Sequence, residues 1–461
     1  MAERTLAFNG IDAATGKPLP SPGSLEEFAD WVPRTPLSPR SEREFGWLLE
    51  EYGKEDPLRG TIYKDEFHQV DIHDLASAGY AVVLSPRLAK NQDVVEKLKP
   101  LLDLRKAQAK SLFKLLVYKE GQSTFDFLDD LKVEPGPADP RKLPYYILLV
   151  GGPEEIPFDF QYELDVMYAV GRICFDTLKE YEQYAKSVEA AEGGDRPPRR
   201  VTLFGASMDD VTERTARDLT LELGKALEAH GDGWSVRSWA GAEADKPLLE
   251  RLLGGERSPA IVVASGHGLV FPPGDPNQRS MQGSILCAGG SAGKDVYLAA
   301  KDLEGGGGLT GSMVCLFACY SAGTPEFSSF PESSLGLPRR VAPAPFVSAL
   351  AQKSLVRPGG GALAFLGHID RMWTMAFSWS DRSQIQAYVS TFRQAMDGFR
   401  IGAATEFINA RYVTFAVQNS QLSQSSQKRK NVDRDRLVRM LQAENDARNF
   451  VLFGDPAVRL T

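Results

Sequence analysis

Two short stretches of the chain carry side chains suited to nucleophilic chemistry. In Val314–Gly323, VCLFACYSAG, an apolar run ends in Cys319 and a small, polar turn. In Ile261–Val270, IVVASGHGLV, a second apolar run ends in Ser265, Gly266, His267 and Gly268. A thiol is a weak nucleophile until it is deprotonated or paired with a base, and imidazole titrates near neutral pH. A Cys319–His267 pair is therefore able to attack a carbonyl, with the imidazole later protonating the leaving amine. The oxyanion of the tetrahedral intermediate needs donors. The N–H groups of Gly268 and Cys319 are the candidates, since glycine lets the backbone come close. Each residue also has a structural reading: a cysteine closing an apolar strand is commonly a small buried residue, and most histidines are not catalytic. What favours chemistry is the pair, both members at strand ends of one predicted sheet.

That sheet follows from the pattern of elements. Apolar runs at YAVVLSP, YYILLVGG, RVTLFGA, WSVRSWA, AIVVASGHG, SMVCLFACYSAG and GGALAFLGHID alternate with helical patterns. Ala216, Leu219, Leu223 and Leu227 share one helix face, and KPLLERLLGG is a short helix with a glycine stop. A helical region is expected from Leu88 to about Tyr118, broken near Pro100, and another from about Ser383 to Val417. Strand–helix alternation with apolar strands predicts an α/β fold, a mostly parallel sheet covered on both faces. Its ligand chemistry gathers at strand carboxyl ends, where His267 and Cys319 fall. Residues 1–75, with Pro18, Pro20, Pro22, Pro33, Pro36 and Pro39, read as an extended or partly disordered segment. Residues 76–144 read as a small α/β region, with the linker KVEPGPADPRKLP leading to the main domain, 145–461.

Composition narrows the function classes. The 461 residues allow two domains and a well-buried core, and 43% hydrophobic with 25% charged residues is ordinary for a globular protein. A net charge of -8 disfavours a general polyanion binder, so no nucleic-acid partner is expected. No apolar run approaches the ~20 residues of a membrane span, and the N-terminus lacks a signal-peptide pattern, which points to a cytoplasmic location without a membrane partner. Cys174, Cys287, Cys315 and Cys319 form no paired metal motif, so neither a metal nor another cofactor is expected. Cys315, inside its strand, reads as core; Cys174 and Cys287 read as structural or incidental. EGGGGLTG (Glu304–Gly311) lacks the phosphate-loop lysine and reads as a mobile loop near the active site. VGGPEEIP is too poor in glycine for a dinucleotide site, and a nucleotide-binding α/β protein is disfavoured accordingly. His368 reads as a strand-end residue near the cleft.

ASGHG followed by CLFACYSAG resembles the caspase–gingipain–separase clan of cysteine proteases, in which histidine precedes cysteine on neighbouring strands. The nearer resemblance is to gingipain-type peptidases and the bacterial caspase-like CHAT group. YYILLVGGPEEIPF, the Gly-Arg strand of YAVGRICFDTLKEYEQYAKSVEAAE, GGALAFLGHIDRMW and NFVLFGDPAVRL extend it over about Tyr145–Leu460. The caspase Gln-Ala-Cys-x-Gly motif is replaced by Phe-Ala-Cys-Tyr-Ser-Ala-Gly, which removes the ground for aspartate specificity and leaves the dyad intact. The resemblance implies a caspase-like sheet in a peptidase domain at 145–461, a non-catalytic role for the small α/β region at 76–144 that precedes it, and a cysteine endopeptidase of protein substrates, with defence or death-pathway roles in bacteria. It places Asp165 at the base of a specificity pocket for a basic residue and Trp373 as its aromatic wall. The residues themselves also allow a solvated loop aspartate and a core tryptophan. The unassigned N-terminal region and the loops flanking the catalytic strands suggest latency, released by a partner, a protease or self-cleavage near Arg340. The exposed tracts GTPEFSSFPESSLGLPRRVAPAP and NSQLSQSSQKRKNVDRDR suit nicking, the polar second one reading first as a solvated linker. The alternative is a silenced protease fold serving as scaffold or binding protein.

Overall fold

The computed structural model describes residues 10–19, 70–134, 139–254, 258–289, 296–305, 308–330, 339–379, 382–428 and 434–460. The strands in chain order are β1 (Gly10–Asp12), β2 (Tyr80–Leu84), β3 (Phe113–Val117), β4 (Tyr146–Val150), β5 (Ala169–Ile173), β6 (Arg200–Gly205) and β7 (Ser235–Ala240). There follow β8 (Ile261–Ser265), β9 (Gly268–Val270), β10 (Ile285–Leu286), β11 (Tyr297–Leu298), β12 (Met313–Phe317), β13 (Gly323–Thr324) and β14 (Phe346–Val347). The last are β15 (Ala364–His368), β16 (Ser378–Trp379), β17 (Arg382–Ser383) and β18 (Phe450–Gly454).

Ten of them form one sheet in the order β3-β2-β4-β5-β18-β15-β12-β8-β6-β7. The apolar runs supply its centre: every residue of β2, β4, β8, β12, β15 and β18 is buried, as strands covered on both faces must be. Each neighbouring pair is parallel except β15 with β18, which is antiparallel. The sheet is thus two parallel blocks of opposite direction, and the carboxyl ends of β12 and β8 share a rim with the amino ends of β4 and β5. The expected α/β architecture, a mostly parallel sheet flanked by helices, is present. A second, four-stranded sheet, β1-β9-β10-β11, sits on that rim, and β13–β14 and β16–β17 form two-stranded pairs.

Several local readings change. The region from Leu88 to Tyr118 is not helical throughout. Helices Pro86–Ala89, Gln92–Lys97 and Lys99–Ala109 give way at Lys110 (φ 54°) to β3, whose FKLLV backbone pairs with β2 from Tyr80↔Phe113 to Leu84↔Val117. The boundary drawn near residue 144 does not separate two sheets, because β2 also pairs with β4. Asp455, just after β18, accepts from Tyr80 Oη (2.9 Å) and Arg105 Nε (2.7 Å), so the N-terminal block is bolted to the end of the chain by a buried ion pair. The polar tract read as a linker belongs in part to helices Glu406–Lys428 and Arg434–Arg448. The described glycines of EGGGGLTG lie at the amino end of β12, with Gly308 against Gly359, on the rim opposite Cys319 rather than near it. Of the expected extended segment 1–75, residues 1–9 and 20–69 lie outside the described residues.

Candidate active site

The site is built where β8 and β12 leave the sheet. Their register pairs Ser265 with Phe317, and Gly266 N–H donates to the Phe317 carbonyl at 3.3 Å. His267 and Cys319 each lie two residues beyond that pair, so the strand ends bring them side by side. Gly268 closes the approach: a Cβ there would stand 2.0 Å from the Cys319 carbonyl oxygen, which leaves room only for glycine. The residue after the thiol, Tyr320, is buried with φ 56°, and its N–H donates to the Asp370 carbonyl at 2.9 Å. A left-handed tyrosine costs roughly 1–2 kcal/mol. Such strain persists only where surrounding contacts fix it, a pattern found at functional turns.

Cys319 Sγ accepts from the Met372 N–H at 3.2 Å. Burial pushes the thiol up to about 12, against the lowering by the Met372 N–H. Part of its cover is the N-terminal strand: a Cβ on Gly10 of β1 would stand 3.1 Å from the sulfur. In this arrangement the thiol is protonated at neutral pH.

His267 is also buried, and its Nε2 lies 2.8 Å from Asp209 Oδ2. A carboxylate only accepts, so this contact places a proton on Nε2, and in the neutral ring it leaves Nδ1 as a bare acceptor. Nδ1 has no hydrogen-bond partner among the described residues. The ring is thus oriented through one nitrogen, with the other unpartnered among the described residues, at the strand end next to that of Cys319; Nδ1 and the thiol are not hydrogen-bonded to each other. Asp209 itself follows β6, the strand beside β8, and caps helix Asp210–Thr215 by accepting from Thr212 N–H at 2.9 Å. Burial acts to raise its carboxyl, but the hydrogen bond and charge of His267 outweigh it and hold the carboxyl well below the usual range. Sequence reasoning missed Asp209. The available signal was an Asp-x-x-Thr cap directly after the apolar run RVTLFGA, at the strand end next to that of His267.

The other candidates fall as follows. Trp373 is fully buried; its backbone N–H donates to Asp446 Oδ1 at 2.9 Å and its ring meets Phe330 edge-on at 5.4 Å. It follows Met372, so the chain brings it next to the thiol while its indole sits in the core. Asp165 ends helix Phe158–Leu164 on the same rim, but β15 and β18 lie between its strand, β5, and β12. Its carboxylate accepts from Val170 N–H at 2.8 Å, and burial pushes it up to about 8. His368 has both ring nitrogens against carbonyls, of Asp370 (2.9 Å) and Asp446 (3.0 Å), which ties it into the structure. Among the described residues no group of three or more His, Cys, Asp or Glu is placed to hold a metal, and no helix is long and apolar enough to cross a membrane.

No protein-family model and no curated protein matches the chain. Among solved structures it is similar to one described only as a protease, at 12% identity and TM-score 0.49 over 84% of this chain and 79% of the other. It is also similar to the Arg-specific cysteine proteinase gingipain R, at 12% identity and TM-score 0.44 over 85% and 79%. A third is the Saccharomyces cerevisiae separase–securin complex, at 10% identity and TM-score 0.33 over 94% of this chain and 24% of the other.

Proposed function

We propose that the chain is a cysteine endopeptidase of protein substrates in which Cys319 attacks the scissile carbonyl and His267 acts as base and then acid. Asp209 orients the ring and stabilises the imidazolium. The observation that carries this reading is the His267–Asp209 bond at 2.8 Å, with the opposite ring nitrogen left without a partner at the strand end beside Cys319. Attack moves the thiol proton to Nδ1 as the sulfur–carbon bond forms. Collapse of the tetrahedral intermediate returns that proton to the leaving amine, and water hydrolyses the thioester by the same route. The N–H groups of Gly268 and Cys319 are the proposed oxyanion donors, consistent with the close approach of those two residues.

A preference for a basic residue before the scissile bond, with Asp165 and Trp373 lining its pocket, is the finer part of the proposal. It requires Asp165 to become solvated and ionise, since burial holds its carboxyl near 8 in the present conformation. A second reading, a catalytically silent scaffold, is favoured by the complete burial of the Cys319 thiol. Latency accounts for the same fact, with release by a partner or protease.

The test uses the full chain and its Gly10→Val form, a substitution aimed at the strand over the sulfur. Each is incubated with a diverse peptide library and with an electrophilic peptide ketone. Cleavage lost in Cys319→Ala and His267→Ala, with the ketone attached to Cys319, is the expected result. Cleavage that survives both substitutions refutes the dyad, and absence of both labelling and cleavage in either form leaves the scaffold reading.

A further inference from the structure

β9 begins at the residue after His267, and its two edges are used differently. One pairs with β10. The other pairs in parallel with β1, Gly10↔Gly268, Ile11↔Leu269 and Asp12↔Val270, although β1 precedes β9 by more than half of the chain. Ala13 N–H continues the contact by donating to the Val270 carbonyl at 2.8 Å. The segment then folds back: Asp12 N–H donates to the Lys17 carbonyl (2.9 Å) and Leu19 N–H to the Gly10 carbonyl (2.9 Å). Ile11 is 5% exposed and packs with Leu269 and Leu286. Gly10 lies against the nucleophile, since a Cβ there would stand 3.1 Å from Cys319 Sγ and 2.6 Å from Leu19 Cδ1. The thiol and the imidazole have no solvent access in this arrangement.

An endopeptidase must hold an extended backbone beside its nucleophile, and a free strand edge does this through main-chain hydrogen bonds with pockets for alternate side chains. The edge of β9 has those properties and starts at the dyad. Resting on the peptidase reading, we propose that the β9 edge, Gly268–Val270, is the binding edge for an extended polypeptide at the scissile bond, and that Gly10–Leu19 occupies it in cis and keeps the enzyme latent. A substrate takes the place of β1, in the same parallel sense, with an apolar side chain in the Ile11 position against Leu269 and Leu286. Activation is then the removal of this strand, by a partner that captures it or by a cut in the N-terminal region. No rearrangement of the ten-stranded sheet is needed, because β1 is not part of it.

The experiment measures alkylation of Cys319 by iodoacetamide, read by mass spectrometry of its peptide, in the full chain, Gly10→Val and Ile11→Asp. Cys315, inside β12, reports on any opening of the core. Both variants are expected to raise the Cys319 rate at least tenfold with Cys315 unchanged, and a synthetic peptide of residues 5–20 to slow it again. Equal rates in parent and variants, or no effect of the peptide, overturn the proposal. Cleavage of the peptide library is measured in parallel. Variants that label fast but cleave nothing leave the covering strand in place as a finding and remove the peptidase reading. A parent that cleaves as fast as the variants does the reverse.

Discussion

Replacing Asp209 with asparagine isolates the positioning of the imidazole. The carboxylate accepts from His267 Nε2 at 2.8 Å and is partly open to solvent, its side chain 30% exposed. A hydrogen bond to a charged group contributes about 1.5–3 kcal/mol, and its loss in the transition state converts to about a 10- to 150-fold fall in rate. Partial exposure puts the expectation in the lower half of that range. Asparagine is the informative choice because the same carboxylate caps a helix through Thr212 N–H, and an amide oxygen keeps that bond. Alanine removes both and costs about 1 kcal/mol of stability in addition. Steady-state kinetics on a cleaved library peptide, in a Gly10→Val background, should show kcat reduced, KM within twofold and the thermal midpoint unmoved. A KM effect alone, or kcat within threefold of the parent, refutes the role. A fall in kcat that tracks a lowered midpoint does so too, since it would make Asp209 only a helix cap.

Three further outcomes are expected. Gly268→Ala places a Cβ 2.0 Å from the Cys319 carbonyl oxygen, so kcat/KM should fall at least 100-fold, with stability lowered by about 1–3 kcal/mol; an active, stable variant contradicts the packing. Asp455→Ala leaves the buried Arg105 with Glu192 as its remaining carboxylate and should cost about 3 kcal/mol in urea unfolding, the lower end of the range for a broken buried pair, where a loss under 1 kcal/mol would show that the pair does not join the blocks. Asp165 holds its proton up to about pH 8 when folded and to about 4 when unfolded. Between those values the native state binds more protons, so this group's contribution to stability is present at pH 4 and lost as pH rises to 8. Asp165→Asn should flatten that part of the stability–pH curve, and an unchanged slope argues against a buried neutral carboxyl. Cleavage profiles of the same variant test the basic preference, which should weaken at least tenfold.

The sequence made the centre of the sheet legible because a strand buried on both faces must be apolar throughout, and runs such as YILLV and MVCLF have few other uses. The neighbouring positions of His267 and Cys319 were legible for the same reason, since each stands where such a run stops. FKLLV was read as the tail of a helix because its lysine and leucines suit either period; pairing along β2 decides, and that contact is not local. Asp209 stands in an Asp-x-x-Thr pattern that suits any helix cap, which it also is, so its contact with His267 appears only when β6 lies beside β8. β1 left no trace in the pattern: three residues, GID, have no periodicity, and they are a strand only because the β9 edge is there to receive them.

The antiparallel contact between β15 and β18 has a consequence for how the chain is made. Residues 450–454 are the last of the ten sheet strands to leave a ribosome, yet they lie between β5 and β15 and, among the described residues, are their only sheet contact with each other. Until they emerge, a four-stranded and a five-stranded sheet each carry a raw edge, buried in the finished protein, that invites pairing with other chains. The order of synthesis therefore delays union of the halves to the end. A nascent chain stopped before Phe450 should present its histidine and cysteine strands already paired, but on a sheet with nothing beyond β15 to hold it.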